Sequence, residues 1–110
     1  MSGRRFEVST SPLAREDLES IGRYIERESR ETAARIMDTI EARFRTLDMS
    51  PFRGRRVPEL ELVGLTGFRE LIVAPWRIIY EVVGGTVYVS AVLDSRRNLG
   101  DVLLERLTRA

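Results

Sequence analysis

Phe6 and Val8 alternate with Glu7 and Ser9, the period-two pattern of a short strand. Ser11-Pro12 then reads as a helix N-cap followed by proline at the first helical position. Ala14, Leu18, Ile21 and Ile25 recur at helical spacing, and Glu19/Arg23 and Glu26/Arg30 stand as i,i+4 pairs on the polar face. Ser29 is a second cap, opening a longer amphipathic helix whose apolar stripe is Ala33, Ile36, Met37, Ile40, Phe44 and Leu47. Ser50-Pro51 stops it, because the residue before a proline is driven out of the helical region. Two helices with so short a connection predict an αα-hairpin that covers one face of a sheet.

Residues 52–67 read as a loop rich in Arg, Gly and Pro, and three strand-like runs follow at 68–73, 76–83 and 86–93. Gly84-Gly85 between the last two is a strong hairpin signal and sets Val83 opposite Thr86. Continued along both strands, that register puts Ile78, Tyr80, Val82, Val87, Val89, Ala91 and Leu93 on an apolar face beneath the helices. The opposite face carries Arg77, Ile79, Glu81, Tyr88, Ser90, Val92 and Asp94, a mixed surface on which function is expected. Leu99, Val102, Leu103 and Leu107 predict a short final helix. The expected architecture is α+β: an N-terminal strand, an αα-hairpin on a three- to four-stranded mainly antiparallel sheet, and a short C-terminal helix. It forms one domain over residues 1–110.

Composition removes whole classes of chemistry. Cys, His and Lys are all absent, so every one of the 18 basic residues is Arg. Without His and Cys there is no Ser/His/Asp triad, no Cys/His dyad and hardly a route to a zinc site. Without Lys there is no P-loop or Schiff base. The net charge of +1 is not that of a strongly basic nucleic-acid protein. No apolar run approaches the roughly 20 residues needed to cross a bilayer, and no signal-peptide pattern opens the chain. A cytoplasmic protein is expected, with no membrane partner, metal or cofactor.

What chemistry remains rests on carboxylates, tyrosines and guanidinium groups, and a guanidinium is suited to stabilising a phosphate or its transition state. Glu81 and Tyr88 stand opposite across the hairpin with Arg77 further along the strand, either as a small phosphate site or as an ordinary cross-strand pair. Arg53, Arg55 and Arg56 in the loop suit phosphates or an acidic partner peptide, and Arg96-Arg97 follow the last strand. Trp76 and Tyr80 have the parity of core residues, not of base-stacking platforms.

Four segments in order resemble the ParE/RelE superfamily of type II toxins, especially its plasmid-stabilisation members. They are Gly54-Arg55-Arg56-Val57-Pro58-Glu59-Leu60, Phe68-Arg69-Glu70-Leu71, Pro75-Trp76-Arg77-Ile78-Ile79-Tyr80 and Val92-Leu93-Asp94-Ser95-Arg96-Arg97. The resemblance implies a toxin neutralised by a cognate antitoxin in a heteromeric complex, meeting operator DNA only through that antitoxin. For a RelE-like, ribosome-dependent mRNA endoribonuclease it implies a site built from Arg77 and Arg96, to which Glu81 and Tyr88 would add the polar pair. Leu71 stands where such enzymes have a second basic residue, Asp94 where a His is frequent, and no C-terminal tyrosine follows Tyr88. The ribonuclease set is therefore incomplete, and the residues favour a ParE-like, non-enzymatic toxin acting on DNA gyrase over one acting on ribosome and mRNA. A partner-binding domain without toxicity is the third reading. Arg53, Arg55, Arg56, Arg69, Leu71, Ile79, Val92 and Arg97 are the expected partner-binding residues. The length of the turn at Ala74-Pro75 decides whether Arg69 and Arg77 share a sheet face.

Overall fold

The computed structural model describes residues 5–109, with side chains through Arg106; residues 1–4 and the Leu107 side chain lie outside the described residues. Strand β1 (Glu7–Thr10) leads into helices α1 (Pro12–Glu26) and α2 (Arg30–Thr46). Both starts are capped as the sequence predicts. Ser11 Oγ accepts from the Ala14 N–H at 3.1 Å with Pro12 beginning the helix, and Ser29 Oγ accepts from the Thr32 N–H at 3.1 Å.

Strands β2 (Arg55–Arg56), β3 (Phe68–Val73), β4 (Trp76–Val83) and β5 (Thr86–Asp94) complete one sheet, in the order β1-β5-β4-β3-β2. β1 runs parallel to β5 and the other pairs are antiparallel. The sheet thus has five strands, not three or four, because the arginine-rich loop contributes β2 and a short helix, α3 (Pro58–Glu61). Two residues are too few to show a period, so β2 is set by its neighbour, with Arg55 opposite Glu70 and Arg56 opposite Arg69. The chain ends in α4 (Leu99–Arg109). Among the described residues no helix is long and apolar enough to cross a membrane.

The Gly84-Gly85 hairpin has the expected register, Val83 opposite Thr86, with Gly84 at φ 61°. That register holds only as far as Tyr80 opposite Val89. A β-bulge follows, since Ile79 faces Ala91 and Ser90 is left over. Each later residue of β5 therefore changes sides. Val92, expected outward, lies in the core beneath the helices, while Ala91 and Leu93 face the other way. Helix α1 holds the bulge through its own polar groups. Ser11 Oγ donates to the Ser90 carbonyl at 3.3 Å, and the Asp17 carboxylate accepts the Val92 N–H at 3.0 Å.

Both sheet faces are consequently covered over part of their area. The main core joins Ala14, Ile21, Ile40, Phe44 and Leu47 of the helical hairpin to Leu71, Ile78, Tyr80, Val87 and Val89 of the sheet. On the reverse face Ile79, Ala91 and Leu93 lie under Val57 and Leu60 from the α3 region and Leu99 and Leu103 of α4. The mixed face expected to be open is thus a second, smaller core, with Tyr88 and Ile72 left exposed beside it.

One contact ties the loop to the main core. The buried Tyr80 hydroxyl accepts the Gly54 N–H at 2.9 Å, and a Cβ on Gly54 would meet that hydroxyl at 2.7 Å and the Glu70 carbonyl oxygen at 2.6 Å. Neither neighbour is the free end of a flexible chain, so only glycine fits. Gly54→Ala should destabilise the protein by about 1–3 kcal/mol through overpacking. Urea unfolding checks it, and an unchanged midpoint would show that the loop repacks freely.

Candidate functional site

Arg77 sits in β4, the central strand of the five, directly opposite Ile72 of β3 and Leu93 of β5. Its parity is outward from the helices, as expected, but it is not solvated: only 7% of the residue is exposed. Its Nε donates to Glu70 Oε1 at 2.5 Å and Nη2 to Glu70 Oε2 at 2.9 Å. Nη1 and Nη2 also form a bidentate pair with Glu59, both at 2.9 Å. Four of its five N–H groups are therefore engaged. Glu70 is itself fully buried and accepts a further bond at 2.7 Å from Nε of Arg55, opposite it in β2. Glu59 comes from α3, so the network joins β2, β3, β4 and α3.

Electrostatics follow from this geometry. The hydrogen bond with Glu59 raises the Arg77 pKa above its ordinary range, outweighing desolvation, with Glu70 adding to the rise. The hydrogen bonds from Arg77 lower that of Glu59. Burial raises the pKa of Tyr80, against the opposing effects of the Gly54 N–H and nearby Arg69 and Arg53.

The remaining candidates are dispersed. Glu81 and Tyr88 do face each other, but four residues along β4 from Arg77, a strand distance of about 13 Å. Arg96 folds onto Asp94, donating at 2.6 Å, and that pairing lowers the Asp94 pKa. Ala74-Pro75, a cis peptide, makes a two-residue turn, so Arg69 and Arg77 lie on opposite faces. Arg69 instead donates to the Phe52 and Gly54 carbonyls at 3.2 and 2.9 Å and lies 5.3 Å from the Phe52 ring centroid. The structure thus does not gather Arg77, Glu81, Tyr88 and Arg96 into one site.

Of the partner-binding candidates, Leu71, Ile79 and Val92 are 6%, 1% and 2% exposed, which corrects the expectation of apolar anchors on an open face. Leu71 and Val92 belong to the main core and Ile79 to the second. Arg53 and Arg97 are exposed and form no ion pair among the described residues, whereas Arg55 and Arg56 pair with Glu70 and Glu61. Sequence patterning does not single out Glu59 or Glu70: the available signal is the pair of acids Glu59 and Glu61 in the arginine-rich loop, and Glu70 lies beyond it in a strand run. No group of three His, Cys, Asp or Glu among the described residues is arranged to hold a metal ion.

Residues 8–99 match the family described as the ParE toxin of the type II toxin-antitoxin system, parDE. The chain belongs to the ParE toxin family. It is a type II toxin-antitoxin toxin by membership, and solved structures share its fold. A chain of the chromosomal ParDE system from Pseudomonas aeruginosa is 18% identical with a TM-score of 0.65, over 84% of this chain and 98% of that one. A chain of the RelBE2 toxin-antitoxin complex from Mycobacterium tuberculosis is 20% identical with a TM-score of 0.57, covering 82% and 91%. The YoeB dimer from Staphylococcus aureus gives 17%, 0.55, 79% and 93%. No curated protein sequence matches this chain.

The network makes Arg77 costly to remove. Arg77→Ala should destabilise the ParE-family domain by about 3–5 kcal/mol, since Glu70 is left buried without its main partner. The pair Arg77→Met with Glu70→Leu should recover most of that loss. Denaturant unfolding of the three proteins checks both outcomes, and a single variant within about 0.5 kcal/mol of wild type would refute the clamp.

Glu59 adds a pH dependence. Its folded pKa lies below its ordinary value of about 4.5, so its stabilisation is present above pH 4.5 and is lost as pH falls through the folded value. Glu59→Gln should remove that acid limb from the unfolding profile. An identical pH dependence in the two proteins would remove Glu59 from the account.

Proposed function

We propose that this chain arrests growth by inhibiting DNA gyrase and is neutralised by a cognate antitoxin that binds it as a protein complex, reaching operator DNA only through that antitoxin. The observation that carries this reading is the engagement of Arg77. Phosphate chemistry needs donors aimed at developing charge, and this guanidinium already faces two carboxylates. Releasing it would leave Glu70 buried beside an empty position, which is strongly unfavourable. Arg96, the other arginine of a ribonuclease reading, is paired with Asp94. A gyrase poison works through a protein interface and requires neither. Membership of the parDE toxin family points the same way, and the solved ParDE and RelBE2 assemblies support an antitoxin partner.

The antitoxin then meets what is exposed: Arg53 beside Phe52 in the loop, the free ends of Arg55 and Arg56, Arg69 over the Phe52 ring, and Arg97 after β5. Leu71, Ile79 and Val92 act behind that surface as packing.

Because Arg77→Ala perturbs folding, it does not separate gyrase from ribosome as a target. The wild-type protein does. Induced alone it should stop growth, and co-expression of the adjacent reading frame should restore it. Purified, it should block supercoiling by gyrase and leave mRNA on translating ribosomes intact. Ribosome-dependent cleavage with unimpaired supercoiling would replace this reading by the endoribonuclease one. Normal growth at confirmed soluble expression would remove both.

A further inference from the structure

A cavity of about 520 Å³ opens between α1, the start of β4, the end of β5 and α4, away from the Arg77 network. Its size falls within the range of about 300–1,000 Å³ typical of ligand pockets. Ile21, Trp76 and Val92 give it an apolar floor, and Tyr24, 60% exposed, stands in its wall. Trp76 is 6% exposed, and its indole N–H is the buried side-chain polar atom left without a partner among the described residues. A buried donor in that state is costly and gains from any acceptor that reaches it.

The charges lining the cavity are mostly balanced internally. Asp17 receives both Nη groups of Arg106 at 3.2 and 2.5 Å as well as the Val92 N–H, and Asp94 receives Arg96. Among the described residues Arg97 is the lining arginine that forms no ion pair, although its charge helps to lower the pKa of Asp94. What the cavity offers is therefore one guanidinium without an ion-pair partner and an apolar floor. That combination fits a single carboxylate carried on an apolar chain. It does not fit a polyanion, whose binding rests on many uncompensated cations, whereas Asp17 and Asp94 add negative charge here.

We propose that this cavity receives an acidic side chain of the antitoxin, flanked by apolar residues, with the carboxylate on Arg97 and the apolar neighbours against Trp76 and Ile21. The proposal rests on the toxin-antitoxin reading and assigns one contact of that interface to a built pocket. An aspartate or glutamate so placed makes a charge-assisted bond in a partly dry setting, the stronger kind of polar contact.

Trp76 is the sole tryptophan of the chain, so its emission reports on the cavity directly. The probe is the tryptophan-free form of the polypeptide encoded by the adjacent reading frame, titrated into the full toxin. Binding should shift Trp76 emission saturably. Arg97→Ala, at an exposed position, should weaken it about tenfold or more, and Ser20→Phe, which fills the cavity from α1, should also weaken it. An acid-to-amide scan of the antitoxin should find one position whose loss is not additive with Arg97→Ala. Complex formation with unchanged emission and both variants binding like wild type would overturn the pocket while leaving the toxin reading intact. Absence of any complex would remove the toxin reading and this proposal together. Saturable quenching by a short single-stranded RNA, competed by the antitoxin, would make the pocket a nucleic-acid site and overturn it.

Discussion

The Glu70 carboxylate has no exposed surface, and it sets the terms for half of the sheet. A buried charge is tolerated only when it is paired and hydrogen-bonded. Arg77 from β4 and Arg55 from β2 supply that from either side. Arg77 in turn presents two N–H groups to Glu59, which brings α3 against the sheet. Once α3 is there, Val57 and Leu60 stand over Ile79, and Leu99 and Leu103 of α4 complete the cover. The second core is thus downstream of a polar contact. Two-residue β2 has little pairing of its own, and its register follows from Arg55 meeting Glu70.

The helical side of the sheet is arranged differently. Its core is continuous and apolar, and a backbone device, not a buried charge, sets its boundary. β1 stops pairing at Thr10 opposite Val89, and the next residue of β5 is the bulge. From that point the β1 side of β5 has no strand beside it, and unpaired backbone groups there would be costly. Ser11 and Asp17 of α1 take them up. Asp17 then also holds Arg106, so a single carboxylate links α1, β5 and α4.

Much of this was legible in the chain. Helix starts at Ser11 and Ser29, the apolar stripes, the Gly84-Gly85 hairpin and the ordering of elements all arise from local chemistry, and local chemistry is what a sequence displays. The errors share one cause. Period-two counting puts Val92 outward because it assumes an unbroken ladder, and a group that holds the break lies 75 residues away in Asp17. Parity gives the side of the sheet that Arg77 faces but not its environment, since it does not say what covers that side. Glu59 and Glu70 read as ordinary acids among arginines because their meaning depends on a fold that brings positions 59, 70 and 77 together.

With lysine absent, one side chain must serve both as structural cation and as recognition element, and location separates the two uses. Arg5, Arg55, Arg56, Arg77, Arg96 and Arg106 each face an acid of the same chain. Charge neutralised in this way contributes little to the field a phosphate backbone would meet, because affinity for nucleic acid grows with the number of cations free to replace counterions. Protein interfaces, by contrast, select by shape and by the groups left uncompensated at their centre. In the fork geometry of guanidinium, each pairing also fixes direction. An arginine held by Glu70 and Glu59 is oriented for those carboxylates and so is not oriented for anything else. The interior pairing of Arg77 and the exposure of Arg97 are therefore two outcomes of one constraint: Arg77 is held by the acids the fold brings to it, whereas Arg97 is exposed and forms no ion pair among the described residues.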